Sequence, residues 1–267
     1  MPGVNEMRAD ANRMIPRRRF LHIAAAATVS TAVFGPRLFA AASNALPLTW
    51  QGIALGAEAS IQILGFPRDH AHHLLRQCRA ELVRLEGIFS LYDARSDLSR
   101  LNRDGELSNP PDELVDVLRH ALHLSGETSG IFDVSILPVC ELLAAAGETG
   151  PSASALAQVK TRVDYRRISV QPDCIRLGLP GMRLTLNGLA QGYITDRIAD
   201  LLRSAGCKHT LVDLGEKHAL GPHLDGRPWR LGVSSPNNRE HIAGVLELSG
   251  GALATSGGYG TPYGGGR

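Results

Sequence analysis

Aromatic side chains are scarce: Phe, Trp and Tyr make up 5% of the 267 residues. That scarcity argues against a surface that stacks nucleic-acid bases, which needs rows of exposed rings. Cysteine is scarce too, with four in the chain. Cys78, Cys140, Cys174 and Cys207 stand far apart and form no Cys-x-x-Cys pair, so a structural zinc site is not expected. Most of them are expected to be small buried hydrophobes, Cys78 on the apolar face of a helix. After residue 45 no apolar run approaches the length of roughly 18 residues that suggests a membrane span. No internal period of about 20–50 residues is visible, which excludes a solenoid. Strong net charge is also absent: the formal value is +2. Residues 1–45 hold six Arg and two acidic residues, +4, whereas the remaining 22 basic and 24 acidic residues leave −2. A mildly acidic body argues against a phosphate-backbone binder, so no nucleic-acid partner is expected.

What is present is a globular composition. Apolar residues reach 43% and charged residues 20%, enough for a sizeable core in one or two domains. The first 45 residues stand apart. Pro16-Arg17-Arg18-Arg19-Phe20-Leu21 opens an apolar stretch from Leu21 to Phe34, and small residues follow at Ala40-Ala41-Ala42 and Ser43-Asn44-Ala45. A basic start, a short apolar middle and an Ala-x-Ala end predict a signal peptide, with cleavage after Ala42 or Ala45. Paired arginines before Phe-Leu match the twin-arginine type. The expectation is a periplasmic chain with no membrane span once residues 1–45 are removed. Export also permits disulfides, and four cysteines allow three pairings.

Periodicity divides the remainder. Trp50 to Leu64 alternates as a strand pair or one long strand. Asp69 to Phe89 carries Leu74, Leu75, Cys78, Leu82, Leu85, Ile88 and Phe89 at three- and four-residue spacing, a helix with one apolar stripe. Asn109-Pro110-Pro111 starts a second helix, ended by Gly126 to Gly130. Residues 144–155, rich in Ala, Gly and Ser, predict a mobile loop. Asp164 to Leu186 predicts short strands turning at Pro172-Asp173 and Pro180-Gly181. A third helix is expected from Gln191 to Ser204, stopped by Gly206. His209–Leu214, Arg230–Ser234 and Leu246–Thr255 predict further strands. Helices between groups of antiparallel-looking strands make this an α+β fold, with residues 46–267 as one domain. His70, His72 and His73 cluster at a helix start, and are expected to lie on the surface rather than bind metal.

Three clusters place polar groups beside element ends. The first is Ser90-Leu91-Tyr92-Asp93 with Ser96-Asp97-Leu98-Ser99-Arg100-Leu101-Asn102. The second is Ser129-Gly130-Ile131-Phe132-Asp133-Val134-Ser135. The third runs from Leu186-Asn187-Gly188 through Gln191-Gly192-Tyr193 to Asp196. Glycine lets backbone approach a ligand, and helix N-terminal amides suit phosphate.

Taken in order, these clusters resemble the FAD:protein FMN transferase (ApbE) family, over roughly residues 50–263. Leu55-Gly56-Ala57 stands where the family usually has Met-Gly-Thr. Ser90 to Asn102 resembles its Ser-x-Tyr segment, Gly130 to Asp133 its Gly-x-Phe-Asp segment, and Asn187 to Asp196 its Gly-Gly-Ile-Ala-Lys-Gly-Tyr-x-x-Asp segment. Val212 to Glu216, Pro228 to Val233 and Thr255 to Tyr259 follow at the expected spacing. The variants Leu-Gly-Ala, Ala-Gln-Gly-Tyr-Ile-Thr-Asp and Leu-Gly-Glu resemble the NosX subset, associated with maturation of the nitrous-oxide reductase system.

The resemblance implies a single domain of mixed or antiparallel sheets with packed helices. It implies FAD as substrate, Mg²⁺ as metal, and transfer of the FMN half to a Thr or Ser of an acceptor flavoprotein, with a membrane-bound NosR-like protein as the candidate acceptor. Chemically this is phosphoryl transfer, in which a metal neutralises pyrophosphate charge and a hydroxyl is aligned with the phosphate. Leu55, Tyr92, Ile131, Phe132, Asp133, Gln191 and Asp196 are the implied cofactor-binding residues. Tyr92 would face the flavin, Asp133 would be a polar hook, and the carbonyl of Gly188 would meet Mg²⁺. Thr255 and Ser256 are further candidate contacts.

Two departures from the family pattern matter. Gln191 stands where most of the family has Lys, keeping hydrogen-bonding reach but not the charge. Arg267 also precedes the expected His…Asp-Pro-x-x-Gly and Asp-Ala-x-x-Thr segments. The family's acid/base and metal carboxylate groups are expected there, so the catalytic residues are unassigned and a C-terminally truncated domain is expected. The alternatives are a catalytically inactive flavin-binding or maturation factor, a truncated non-functional product, and an unrelated exported binding module.

Overall fold

Two strands of alternating burial open the molecule. β1 (Leu48–Ala54) and β2 (Ala57–Ile63) form an antiparallel pair with Leu48 opposite Ile63 and Trp50 opposite Ile61. The computed structural model describes residues 47–54, 57–235, 238 and 241–256. The expected signal peptide, Leu55-Gly56 and the end of the final motif, Gly257-Gly258-Tyr259, therefore lie outside the described residues.

β2 continues into a five-stranded antiparallel sheet, ordered β1-β2-β6-β7-β10, through β6 (Thr210–Asp213), β7 (Lys217–Leu220) and β10 (Gly251–Leu253). Two long helices, α1 (Arg68–Phe89) and α6 (Ala190–Ser204), pack on each other and on this sheet. The predicted stripe of α1 is buried at all seven of its positions. It meets Ile194, Ile198 and Leu202 of α6 and Ile61 and Ile63 of β2 in one core. Each such Leu or Ile contributes about 1.5–3 kcal/mol relative to exposure, so helix propensity is a minor term here.

The middle of the chain builds a second layer around this frame. α2 (Asp97–Asp104) leads to β3 (Glu106–Ser108), and α3 (Asp112–Glu127) follows. α4 (Leu137–Ala146) and α5 (Ala153–Lys160) pack together. β4 (Ile168–Val170) and β5 (Cys174–Leu177) complete a small antiparallel sheet ordered β3-β5-β4. β8 (Trp229–Ser234) and β9 (Ile242–Leu248) form a separate ribbon. The fold is α+β, as expected.

Several elements differ from expectation. Residues 144–155 are not one loop: they hold the end of α4, a 3₁₀ turn at Gly147–Thr149, and the start of α5. α4 is apolar on nearly every side, so no stripe marks it. Ser152 caps α5, its Oγ accepting the Ala155 N–H at 3.2 Å. Leu246–Thr255 is broken at Ser249-Gly250 into β9 and β10, with Gly251 at φ 92. Residues 183–186 form no strand; Arg183 makes an isolated bridge beside Ile136, and the Thr185 N–H donates to the Val134 carbonyl at 2.8 Å. Two of the four cysteines are buried where most were expected to be: Cys78 and Cys207 are buried, Cys140 and Cys174 partly exposed, and none of the four is in a disulfide.

Candidate functional site

Hydroxyl groups organise the first cluster. Ser90 ends α1, and its Oγ accepts the N–H groups of Tyr92 at 3.0 Å and Asp93 at 3.1 Å. The Ser90 carbonyl then accepts hydrogen bonds from the hydroxyls of Ser96 and Ser99. Ser96 also caps α2, which fixes the angle between α1 and α2. Asn102, near the end of α2, makes a two-way bond with Leu184. Its Nδ2 donates to the Leu184 carbonyl at 2.9 Å, and its Oδ1 accepts the Leu184 N–H at 2.6 Å. One side chain thus replaces a strand partner and carries the segment leading to Gly188 to the first cluster.

The second cluster folds where α3 stops. Ser129 (φ 52) and Gly130 (φ 82) take left-handed conformations. The Thr128 hydroxyl then accepts the Phe132 N–H at 3.1 Å. Phe132 is left facing Gly188, where a Cβ would stand 3.7 Å from the ring.

Between these segments lies a cavity of about 360 Å³. Leu91 of the first cluster, Gly130 to Val134 of the second, and Asn187 and Gly188 of the third line it, together with Ile136, Leu137, Cys140, Val163 and Thr185. Its walls are mostly apolar, with a few polar edges, the usual make-up of a small-molecule site. Its size is near the lower end of such sites, which suits one ring system rather than a whole dinucleotide. α6 begins two residues after Gly188 with no side-chain cap, and the space beside Gly192 in its first turn is open. The Ala190 N–H donates to the Leu186 carbonyl at 2.7 Å, so it is the amides that follow it in the first turn that offer a place for an anionic group.

The expected ligand residues divide into two sets. Ile131, Phe132, Asp133 and Gly188 line the cavity. Ile131 is 93% exposed, an aliphatic side chain left at the rim. Tyr92 is not among the lining residues, but its side chain is hydrogen-bonded to Asn187, which is, and burial raises its pKa. Asp133 lines the wall, but its carboxylate is committed to its own chain. Oδ1 accepts the Ser135 N–H at 2.8 Å and the Ser135 hydroxyl at 2.6 Å, and Oδ2 accepts the Tyr165 N–H at 3.1 Å.

Gln191 and Asp196 do not line the cavity. Gln191 Nε2 donates to the Leu214 carbonyl at 2.6 Å, latching α6 to the turn between β6 and β7. Asp196 sits in the second turn of α6, exposed, with Oδ1 2.8 Å from His218 Nδ1. His218 Nε2 faces Arg203 Nη2 at 3.2 Å. Arginine only donates, so Nε2 accepts and Nδ1–H donates to Asp196. Thr255 gives its backbone N–H to Glu216, and Ser256 is exposed. Leu55 lies outside the described residues.

For Mg²⁺, the described residues offer too little. No group of three or more His, Cys, Asp or Glu among them could hold a metal ion, and a lone Gly188 carbonyl is a poor site for a hard octahedral cation. His70, His72 and His73 are exposed, as expected. No helix among the described residues is long and apolar enough to cross a membrane. Asn102, Ser135 and Thr185 had no role assigned from sequence. Asn102 and Ser135 stood inside quoted clusters, which was the available signal.

An α+β frame with a ligand-sized cavity between three turns distant in sequence, two of them glycine-bearing, has the make-up of a small-molecule site. The pattern of the ApbE family matches residues 55–267, and the chain belongs to that family. It is 24% identical to an FAD:protein FMN transferase of Klebsiella pneumoniae (strain 342), over 79% of this chain and 64% of that protein. It is 27% identical to the FAD:protein FMN transferase of Treponema pallidum (strain Nichols), over 72% of this chain and 59% of that one. The chain thus spans about three-fifths of the length of these relatives. Among solved structures, the flavin transferase ApbE from Vibrio cholerae superposes with a TM-score of 0.72 at 24% identity, over 80% of this chain and 72% of that chain. The apo flavinyl transferase ApbE of Pseudomonas stutzeri gives 0.66 at 24%, over 78% and 70%.

Proposed function

We propose that this protein binds FAD and moves its FMN half to a Thr or Ser hydroxyl of an acceptor flavoprotein. The observation that carries the reading is the convergence of Leu91, the Gly130–Val134 turn and Asn187-Gly188 on one cavity. A planar ring of FAD lies in this cavity against the wall that Phe132 and Asn187-Gly188 form together, and Leu91, Val134 and Val163 exclude water. Ile131 closes over the ring from the rim. The diphosphate lies toward the first turn of α6, where free amides neutralise part of its charge. Tyr92 holds Asn187 in place from outside the wall.

The proposal keeps Mg²⁺ as the expected metal of the transfer, but assigns it no step, because the described residues do not complete its coordination. It also keeps the twin-arginine signal over residues 1–45, residues 46–267 as one domain, a periplasmic location, and a NosX-like role in maturing the nitrous-oxide reductase system through a NosR-like acceptor. These rest on the sequence alone. A second reading, flavin binding without transfer, is favoured by the commitment of the Gln191 amide to Leu214.

Titration of FAD with the purified full chain, read by quenching of flavin fluorescence, tests the first step. In-gel fluorescence of a co-expressed acceptor flavoprotein tests the second. Binding with covalent labelling supports transfer, and binding without it selects the second reading. Absence of binding to FAD, riboflavin and AMP alike overturns both.

A further inference from the structure

We propose that Ser135 is a positioning residue that sets the cavity wall for its ligand, an inference that rests on the FAD reading above. Ser135 is fully buried and is not itself among the residues lining the cavity described above. Its hydroxyl donates to Asp133 Oδ1 at 2.6 Å and accepts the Asp164 N–H at 3.0 Å. The other Asp133 oxygen accepts the Tyr165 N–H at 3.1 Å. Two adjacent backbone N–H groups of the 163–165 segment are thereby fastened to the turn that carries Ile131 and Phe132. Val163, on the same segment, lines the cavity with Ile131, Phe132 and Asp133. The Tyr165 ring meets the start of that turn: a Cβ on Gly130 would stand 3.4 Å from its edge.

The arrangement is a clasp between two pieces of wall about thirty residues apart in sequence. At its other end the turn is anchored by Thr128, whose carbonyl and hydroxyl accept the N–H groups of Ile131 and Phe132, each at 3.1 Å. Ile131 and Phe132 therefore hang between two fixed points. A hydrogen bond to a charged acceptor is stronger than a neutral one, so the Ser135–Asp133 bond is the stiff part of the clasp. Without the hydroxyl, the Asp164 N–H loses its acceptor and Asp133 loses its shortest bond. The wall then has to be ordered by the ligand, at a cost to affinity.

The test compares wild type, Ser135→Ala and Ser135→Thr for FAD dissociation constant by fluorescence quenching, with far-UV circular dichroism as the control for folding. The expected result is at least tenfold weaker FAD binding by Ser135→Ala with the spectrum retained, and recovery to within about threefold in Ser135→Thr. A purely structural serine would shift the melting temperature and leave the affinity of the folded protein alone. Affinity within twofold of wild type overturns the positioning role while leaving the FAD reading intact. Failure of the wild type itself to bind FAD overturns both. Should Ser135→Ala not fold, hydrogen exchange on the wild type decides. FAD is expected to slow exchange of the Asp164 and Tyr165 amides at least tenfold, and unchanged exchange there refutes the clasp.

Discussion

Replacing Gly215 by Ala tests whether Gln191 is a structural latch or a ligand contact. Gly215 has φ 96 in the turn between β6 and β7. A Cβ there would lie 1.7 Å from Gln191 Nε2 and 2.8 Å from its Cδ, so the amide must leave. The left-handed backbone costs about 1–2 kcal/mol for a residue with a Cβ. Losing the Gln191–Leu214 bond strands a part-buried carbonyl and adds about 1–3 kcal/mol. The expected loss is therefore about 2–5 kcal/mol in urea denaturation. In a Gln191→Ala background the amide is already gone, so Gly215→Ala should cost only the backbone share, about 1–2 kcal/mol. Equal cost in both backgrounds would refute the latch. Gln191→Ala alone should leave FAD affinity within about twofold, since the side chain lies off the cavity.

Three further outcomes follow from the same geometry. Phe132→Ala removes the ring opposite Gly188 and should weaken FAD binding at least tenfold, about 1.4 kcal/mol or more, in a fluorescence titration. Burial raises the Glu216 pKa, and the buried Oε2 has no hydrogen-bond partner. A carboxyl whose pKa is raised on folding stabilises the protein while protonated and loses that contribution as pH rises. Glu216→Gln should therefore be more stable than wild type at neutral pH, with the gap closing below the ordinary Glu pKa of about 4.3 in pH-dependent melts. Burial, reinforced by nearby Cys207, pushes the Cys78 thiol up to about 12, and the Cys207 thiol is also raised. Both should resist a thiol reagent at pH 8 until the protein unfolds. Cys140, on the cavity wall, should label in the free protein and be protected by FAD; labelling unaffected by saturating FAD would place the ligand elsewhere.

The elements legible in the sequence are those whose burial is one-sided. α1 shows its stripe because one face meets the sheet and the other meets water, and β1 and β2 alternate for the same reason. α2 stayed hidden because only Leu98 and Leu101 are buried in eight residues, although Ser96 at its start and Gly105 at its end were readable caps. α4 stayed hidden for the opposite reason: Glu141 is its one charged residue, so no polar face sets off a stripe. β7 carries Lys217, which is buried and held by Asp213 Oδ2 at 3.1 Å, so its pattern looks polar. In the site, the glycine-bearing turns stood out as clusters. Tyr165, bonded to Asp133, and Leu214, bonded to Gln191, did not, because they lie 32 and 23 residues away and only tertiary packing brings them close.

The cavity gathers its lining from almost the whole stretch between Leu91 and Gly188. Apart from Leu137 and Cys140 of α4, those residues sit in turns and short connections. A molecule lodged among them works as a non-covalent staple, and its binding energy must be surrendered before any one turn can swing free. Occupancy should therefore convert several independent local openings into a single concerted one. Amides spread from the end of α1 to the start of α6 would then exchange together rather than turn by turn.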